Sequence, residues 1–142
     1  MSDPSSRLAA LVASGTRIVV DSGELSKIKT HAPEDATTNP SLVAAAAQLP
    51  AYRALVDGAR AAAGGDRGLL LDKLSVAFGC EILKLVPGVV STEVDARLSF
   101  DTASSVARGE ARRARAPPCR AAPRAPRGPP RSLPPPPAQA AA

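Results

Sequence analysis

The spacing of apolar residues changes several times along the first hundred positions, and each change predicts an element. Residues 5–13 begin on serine and place Leu8, Leu11 and Val12 at helical intervals, which predicts a short helix. Arg17-Ile18-Val19-Val20 is a β-branched run ending at Asp21-Ser22-Gly23, the pattern of a buried strand with a carboxylate and then a turn at its carboxyl end. Glu24 to Thr30 spaces Leu25 and Ile28 as a short helix. Residues 36–39 read as a second strand, and Asn39-Pro40 as a helix start with asparagine at the N-cap. Residues 41–63 are rich in alanine and leucine, and Pro50 divides them into two helices. Gly64-Gly65 ends the second, and Asp66 caps a third that runs to about Val86 with Leu70, Leu74, Ala77, Phe78, Cys80, Ile82 and Leu85 largely buried. Pro87-Gly88 stops it. Val89 to Val94 is a third strand with Glu93 near its carboxyl end, and Asp101 caps a helix starting at Thr102.

Strands alternating with helices predict parallel βαβ units. Carboxylates at the ends of the first and third strands suit a (β/α)₈ barrel, whose chemistry sits at the carboxyl ends of its strands. Periodicity alone also fits a doubly wound sheet. No Gly-x-Gly-x-x-Gly follows the first strand, which weighs against the dinucleotide-binding form of that fold.

Charge and composition divide the chain. Residues 1–101 carry ten Lys/Arg against twelve Asp/Glu, whereas residues 102–142 carry eight Arg against Glu110 alone, so the net +5 belongs to the second part. That part holds ten of the fifteen prolines, and Ala, Pro and Arg fill thirty of its forty-one positions. Such a segment has too little apolar area to offset chain entropy, so the expected division is an ordered region at 1–104 and a disordered tail at 105–142. These residue types share GC-rich codons, and a message read through an intron or out of frame would encode such a segment. Proline-rich docking and arginine-mediated nucleic-acid binding are the functional readings of the tail, but no aromatics are interleaved for base stacking and nucleic acid is not expected as a partner.

The remaining signals mostly exclude. The first fifteen residues lack the apolar core of a secretory signal, and no stretch is long enough to span a membrane. His31 is the single histidine, which excludes a histidine metal site and places it in solvent. Cys80 sits in an apolar run and Cys119 in the tail, so Cys80 reads as a small buried hydrophobe and the pair as no disulfide framework.

Three stretches go beyond a generic α/β pattern: Val20-Asp21-Ser22-Gly23-Glu24, then Asp35-Ala36-Thr37-Thr38-Asn39-Pro40-Ser41-Leu42, then the run from Ile82 to Asp101 with Ser91-Thr92-Glu93-Val94-Asp95 at its centre. In this order they resemble the first three strands of the transaldolases, over roughly residues 8–105. The resemblance implies a (β/α)₈ TIM barrel, here about its first three βα units. It also implies cytoplasmic pentose-phosphate metabolism and, in many members, a homodimer. The implied chemistry moves a dihydroxyacetone unit between sugar phosphates through a lysine Schiff base, without cofactor or metal. A carbon–carbon bond breaks only if the electrons left behind are withdrawn, which a protonated imine does while carboxylates move the protons.

By the resemblance, Asp21 is the acid/base and Glu93, with a water, handles protons as the imine forms and hydrolyses. Thr37, Asn39 and Ser91 orient the dihydroxyacetone part. Read without it, Asp21 is a turn residue, Asn39 a helix cap and Glu93 a solvated strand end. The family's lysine lies on the fourth strand and its phosphate-binding arginines lie beyond. Lys84, the last lysine, precedes the third strand and belongs to a helix surface, so no Schiff-base lysine is assigned. The resulting expectation is a marginal or aggregating partial barrel, inactive alone. A non-catalytic partner of a full-length subunit and an arginine-rich nucleic-acid binder are the alternatives.

Overall fold

The computed structural model describes residues 7–116 and Cys119. The elements run α1 (Arg7–Ala13), β1 (Val19–Asp21), α2 (Leu25–His31), β2 (Asp35–Thr38), α3 (Pro40–Ala46), α4 (Arg53–Ala63), α5 (Arg67–Leu83), β3 (Val90–Thr92) and α6 (Thr102–Arg115), with short 3₁₀ turns at Pro50–Tyr52 and Ala96–Leu98. The strands form one sheet in the order β1-β2-β3, all parallel. This is an α/β partial (β/α)₈ barrel, three of the eight strands of the full architecture.

The starts of the helices follow from single side chains. Asn39 accepts from the Leu42 amide at 3.0 Å with Pro40 behind it, Asp66 accepts from Leu69 at 3.0 Å, and Asp101 accepts from Ser104 at 2.9 Å. Each satisfies an amide that the helix itself leaves unpaired. Gly64, at φ 58°, turns the chain out of α4 in the left-handed region that glycine adopts without strain.

Two apolar clusters fix the layers. Val20, Ala36 and Val90 on one face of the sheet pack on Ile28 of α2 and on Ile82 and Val86 at the end of α5. Val43, Ala46, Ala59, Leu74 and Phe78 join α3, α4 and α5, and Tyr52 meets Phe78 edge-on with centroids 5.4 Å apart. Tyr52 also accepts the Leu25 amide at 2.9 Å, tying the start of α2 to the turn before α4.

Several details differ from the sequence expectations. The ladder of β3 stops at Thr92 because β2 offers partners only as far as Thr38, which leaves Glu93 just past the strand. No residue of α1 is buried, so its apolar stripe faces outward. The division expected at 104 falls inside α6, which continues to Arg115. Two of its arginines, Arg108 and Arg112, reach back to Asp72 of α5. The start of this helix at Thr102 was expected, but composition hid how far it runs because its packing on α5 is ionic rather than apolar. Residues 120–142 lie outside the described part.

The reading of the cysteines is corrected. Cys80 and Cys119 form a disulfide with their Cα atoms 5.4 Å apart, inside the usual range for such bonds. They are 39 residues apart in sequence. They meet because α6 returns along α5, a pairing that local context could not reveal.

Candidate active site

The register of the sheet places Asp21 beside Thr37 and Thr37 beside Ser91. In parallel strands, laterally paired residues point to the same face, so these three form one row across the carboxyl ends of β1, β2 and β3. Thr37 Oγ1 donates to Asp21 Oδ1 at 3.1 Å, which orients that carboxylate from the neighbouring strand. Asn39 and Glu93 lie two positions beyond Thr37 and Ser91. The backbone ties this end together further, through Ser22 N–H to the Thr37 carbonyl at 3.1 Å and Glu93 N–H to the Thr38 carbonyl at 3.3 Å.

The five residues do not share one cavity. Asn39 and Glu93 line a cleft of about 520 Å³ with Asp72, Asp95, Arg97 and Arg108. Asp21 lines a separate hollow of about 240 Å³ between α2 and α3, next to Ser22, Lys27 and His31. Thr37 and Ser91 line neither. Asn39 has two duties, since its side-chain oxygen caps α3 while the residue borders the larger cleft. Asp21, Ser91 and Glu93 are exposed, on the open face of the sheet or just past its edge.

All four lysines sit on or at the end of helices: Lys27 and Lys29 on α2, Lys73 on α5, and Lys84 at the C-cap of α5. Lys84 Nζ lies 2.6 Å from Glu81, and Lys27 Nζ lies 2.8 Å from Glu24. None occupies a strand. His31 is exposed at the end of α2.

Sequence reasoning missed the charged group beside Glu93. Asp72 is almost fully buried within α5, with Arg112 buried against it and Arg108 half-buried. Arg112 Nε donates to Asp72 Oδ1 at 2.6 Å, and Arg112 Nη1 donates to the backbone carbonyl of Glu93. Arg108 Nε lies 2.9 Å from Asp72 Oδ2 as an ionic contact without hydrogen-bond alignment, and its Nη2 donates to the Gly68 carbonyl at 3.2 Å. The available signal was an acid inside the most apolar helix, since a buried carboxylate requires a partner. In the same cleft Arg97 grips Asp95 through its side-chain hydrogen bonds, holding that carboxyl down to about 2 from an ordinary 3.8.

Carboxylates, hydroxyls and an amide gather here at the carboxyl ends of adjacent parallel strands, the end where (β/α)₈ barrels carry their chemistry. A model of the family described as transaldolase/fructose-6-phosphate aldolase matches residues 18–118, and the chain belongs to that family. It is 53% identical over 102 residues to the transaldolase of Edwardsiella ictaluri (strain 93-146), covering 67% of this chain and 32% of the relative. It is 52% identical over 101 residues to the transaldolase of Protochlamydia amoebophila (strain UWE25), covering 67% and 31%. The transaldolase of Prochlorococcus marinus (strain NATL2A) is 51% identical over 109 residues, covering 70% and 33%. The chain thus spans about a third of the length of these curated relatives. Among the described residues no helix is long and apolar enough to cross a membrane.

Proposed function

We infer that this chain supplies the carboxylate side of a transaldolase site, for transfer of a dihydroxyacetone unit between sugar phosphates through a lysine Schiff base. The observation that carries the reading is the row Asp21–Thr37–Ser91 with its Thr37-to-Asp21 hydrogen bond. In this reading Thr37 holds one oxygen of Asp21, and the other takes the hydroxyl proton as the carbon–carbon bond cleaves. Glu93, with a water, moves protons while the imine forms and hydrolyses. Asn39 and Ser91 hold the hydroxyls of the transferred unit.

The same reading makes the 142-residue chain inactive by itself, because the Schiff-base lysine it calls for stands on a barrel strand and every lysine here is on or at the end of a helix. A chimera tests both parts. Residues 18–118 replace the matching segment in the Edwardsiella transaldolase, which provides the rest of a full-length relative. The chimera is expected to transfer dihydroxyacetone, and Asp21→Asn within it to lower kcat by at least roughly a hundredfold, as loss of an acid/base group does. The isolated chain is expected to show no rate. An active isolated chain, or a chimera indifferent to Asp21→Asn, overturns the assignment.

A further inference from the structure

We propose that Arg112 is a positioning residue for Glu93, acting as a bridge from the buried carboxylate of Asp72 to the backbone of the segment that follows β3. The proposal deepens the functional reading above and rests on it for the role of Glu93.

Glu93 lies one residue past the end of β3, where the ladder no longer holds the chain. Both of its backbone polar groups are nevertheless engaged. Its N–H donates to the Thr38 carbonyl of β2 at 3.3 Å, and its carbonyl accepts from Arg112 Nη1 of α6. The first bond fixes the peptide plane before the Glu93 Cα and the second fixes the plane after it. Together they set the direction of the side chain from a point outside regular structure.

The bridge is rigid because of where its other end sits. Arg112 is 7% exposed and Asp72 3%, and the 2.6 Å contact from Nε to Asp72 Oδ1 uses one nitrogen of the guanidinium while Nη1 serves Glu93. A planar guanidinium presents these donors in a fixed fork, so anchoring one locates the other. Hydrogen bonds involving a charged partner are also among the stronger ones, more so where water is excluded. Asp72 in turn lies in the middle of the long helix α5, whose Leu74 and Phe78 are part of the core. The bridge therefore references the loop carrying Glu93 to the most firmly packed helix of the described part.

A purely structural role is the competing explanation, in which the arginines only fasten α6 to α5. Arg108 provides the control. It contacts the same carboxylate at 2.9 Å, but its other arm goes to the Gly68 carbonyl and not to Glu93. Arg112→Lys keeps a cation beside Asp72 but replaces the two separate nitrogens that serve Asp72 and Glu93 with one freely rotating ammonium, so the fixed fork is lost. Arg108→Lys makes the same chemical change without touching Glu93.

The test is residue-resolved hydrogen exchange on the full 142-residue chain, with the Glu93 side-chain carboxyl carbon followed by NMR as a second readout. Arg112→Lys is expected to speed exchange at the Glu93 amide, whose bond to the Thr38 carbonyl the bridge steadies, by roughly tenfold, the scale of one lost charge-assisted hydrogen bond. It is also expected to move the Glu93 carboxyl resonance and to leave the α5 amides unchanged. Arg108→Lys is expected to act at the start of α5 and to leave Glu93 as it was. Equal effects of the two variants on Glu93, or none from Arg112→Lys, overturn the proposal. Neither readout uses a substrate, so a chimera that fails to transfer dihydroxyacetone would refute the catalytic reading and leave this result standing.

Discussion

The two ends of the sheet are built differently. At the amino ends of the strands, Asp35 is buried and accepts the Val89 amide at 2.7 Å. Gly88 lies against it so closely that a Cβ there would overlap the Asp35 carboxylate and sit 2.6 Å from the Glu34 carbonyl. Gly88 N–H donates to that same carbonyl at 2.9 Å. At the carboxyl ends, Asp21 and Glu93 are exposed, and among the described residues Thr37 is the one side chain that hydrogen-bonds the Asp21 carboxylate. One end spends its carboxylate on holding the chain, while the other keeps its carboxylates exposed to solvent. This is the division expected of a barrel, with stability at the amino face and chemistry at the carboxyl face.

The largest effect should come from the tightest point of the amino face. Gly88→Ala forces its methyl group into the Asp35 carboxylate, and we expect a loss of about 3 kcal/mol, the upper part of the overpacking range, read from the denaturation midpoint. An unchanged midpoint would show that this end is looser than its contacts suggest.

A matched pair then compares the two ends directly. Asp35→Ala strips the Val89 amide of its acceptor inside the fold and should cost about 1–3 kcal/mol. Asp21→Ala removes an exposed carboxylate and should change stability by less than about 0.5 kcal/mol, whatever it does to chemistry. Equal losses in the same denaturation experiment would erase the distinction between the faces.

The smallest effect is a dependence on acid. Asp66 is lowered chiefly by the Leu69 amide, Asp101 by the Ser104 hydroxyl, and Asp95 by Arg97 to about 2. Asp66 and Asp101 cap the starts of α5 and α6, so these acids hold structure rather than stand free. A carboxyl lowered in the fold stabilises it at every pH above its ordinary value of 3.8, and that contribution is lost as pH falls toward the folded value. We expect a shallow decline of stability across that window, weak because all three groups face solvent. Asp66→Asn should flatten part of it, and a flat acid limb in the unmodified chain would count against the caps.

How far the sequence could be read depends on the range of the interactions. The caps at Asn39, Asp66 and Asp101 were legible because a cap needs only a side chain and an amide three residues on. The strands were legible from their β-branched runs, although the end of β3 was not, since strand length is set by the partner. Asp21, Thr37, Asn39, Ser91 and Glu93 were legible as candidates through their motifs. Their separation into a row and two cavities was not.

The chain by itself therefore determined the order of its elements, their start signals and the family to which they belong, all of which rest on contacts within a few residues. Only the tertiary structure decided that Asp21, Thr37 and Ser91 stand side by side and that Cys80 meets Cys119. It also decided that Arg112 reaches both Asp72 and Glu93. These pairs lie from 16 to 54 residues apart, counting Asp35 with the Val89 amide. No local pattern encodes which helix returns along which, because that choice rests on partners distant in sequence, apolar faces for α3, α4 and α5 and the Asp72 carboxylate for α6.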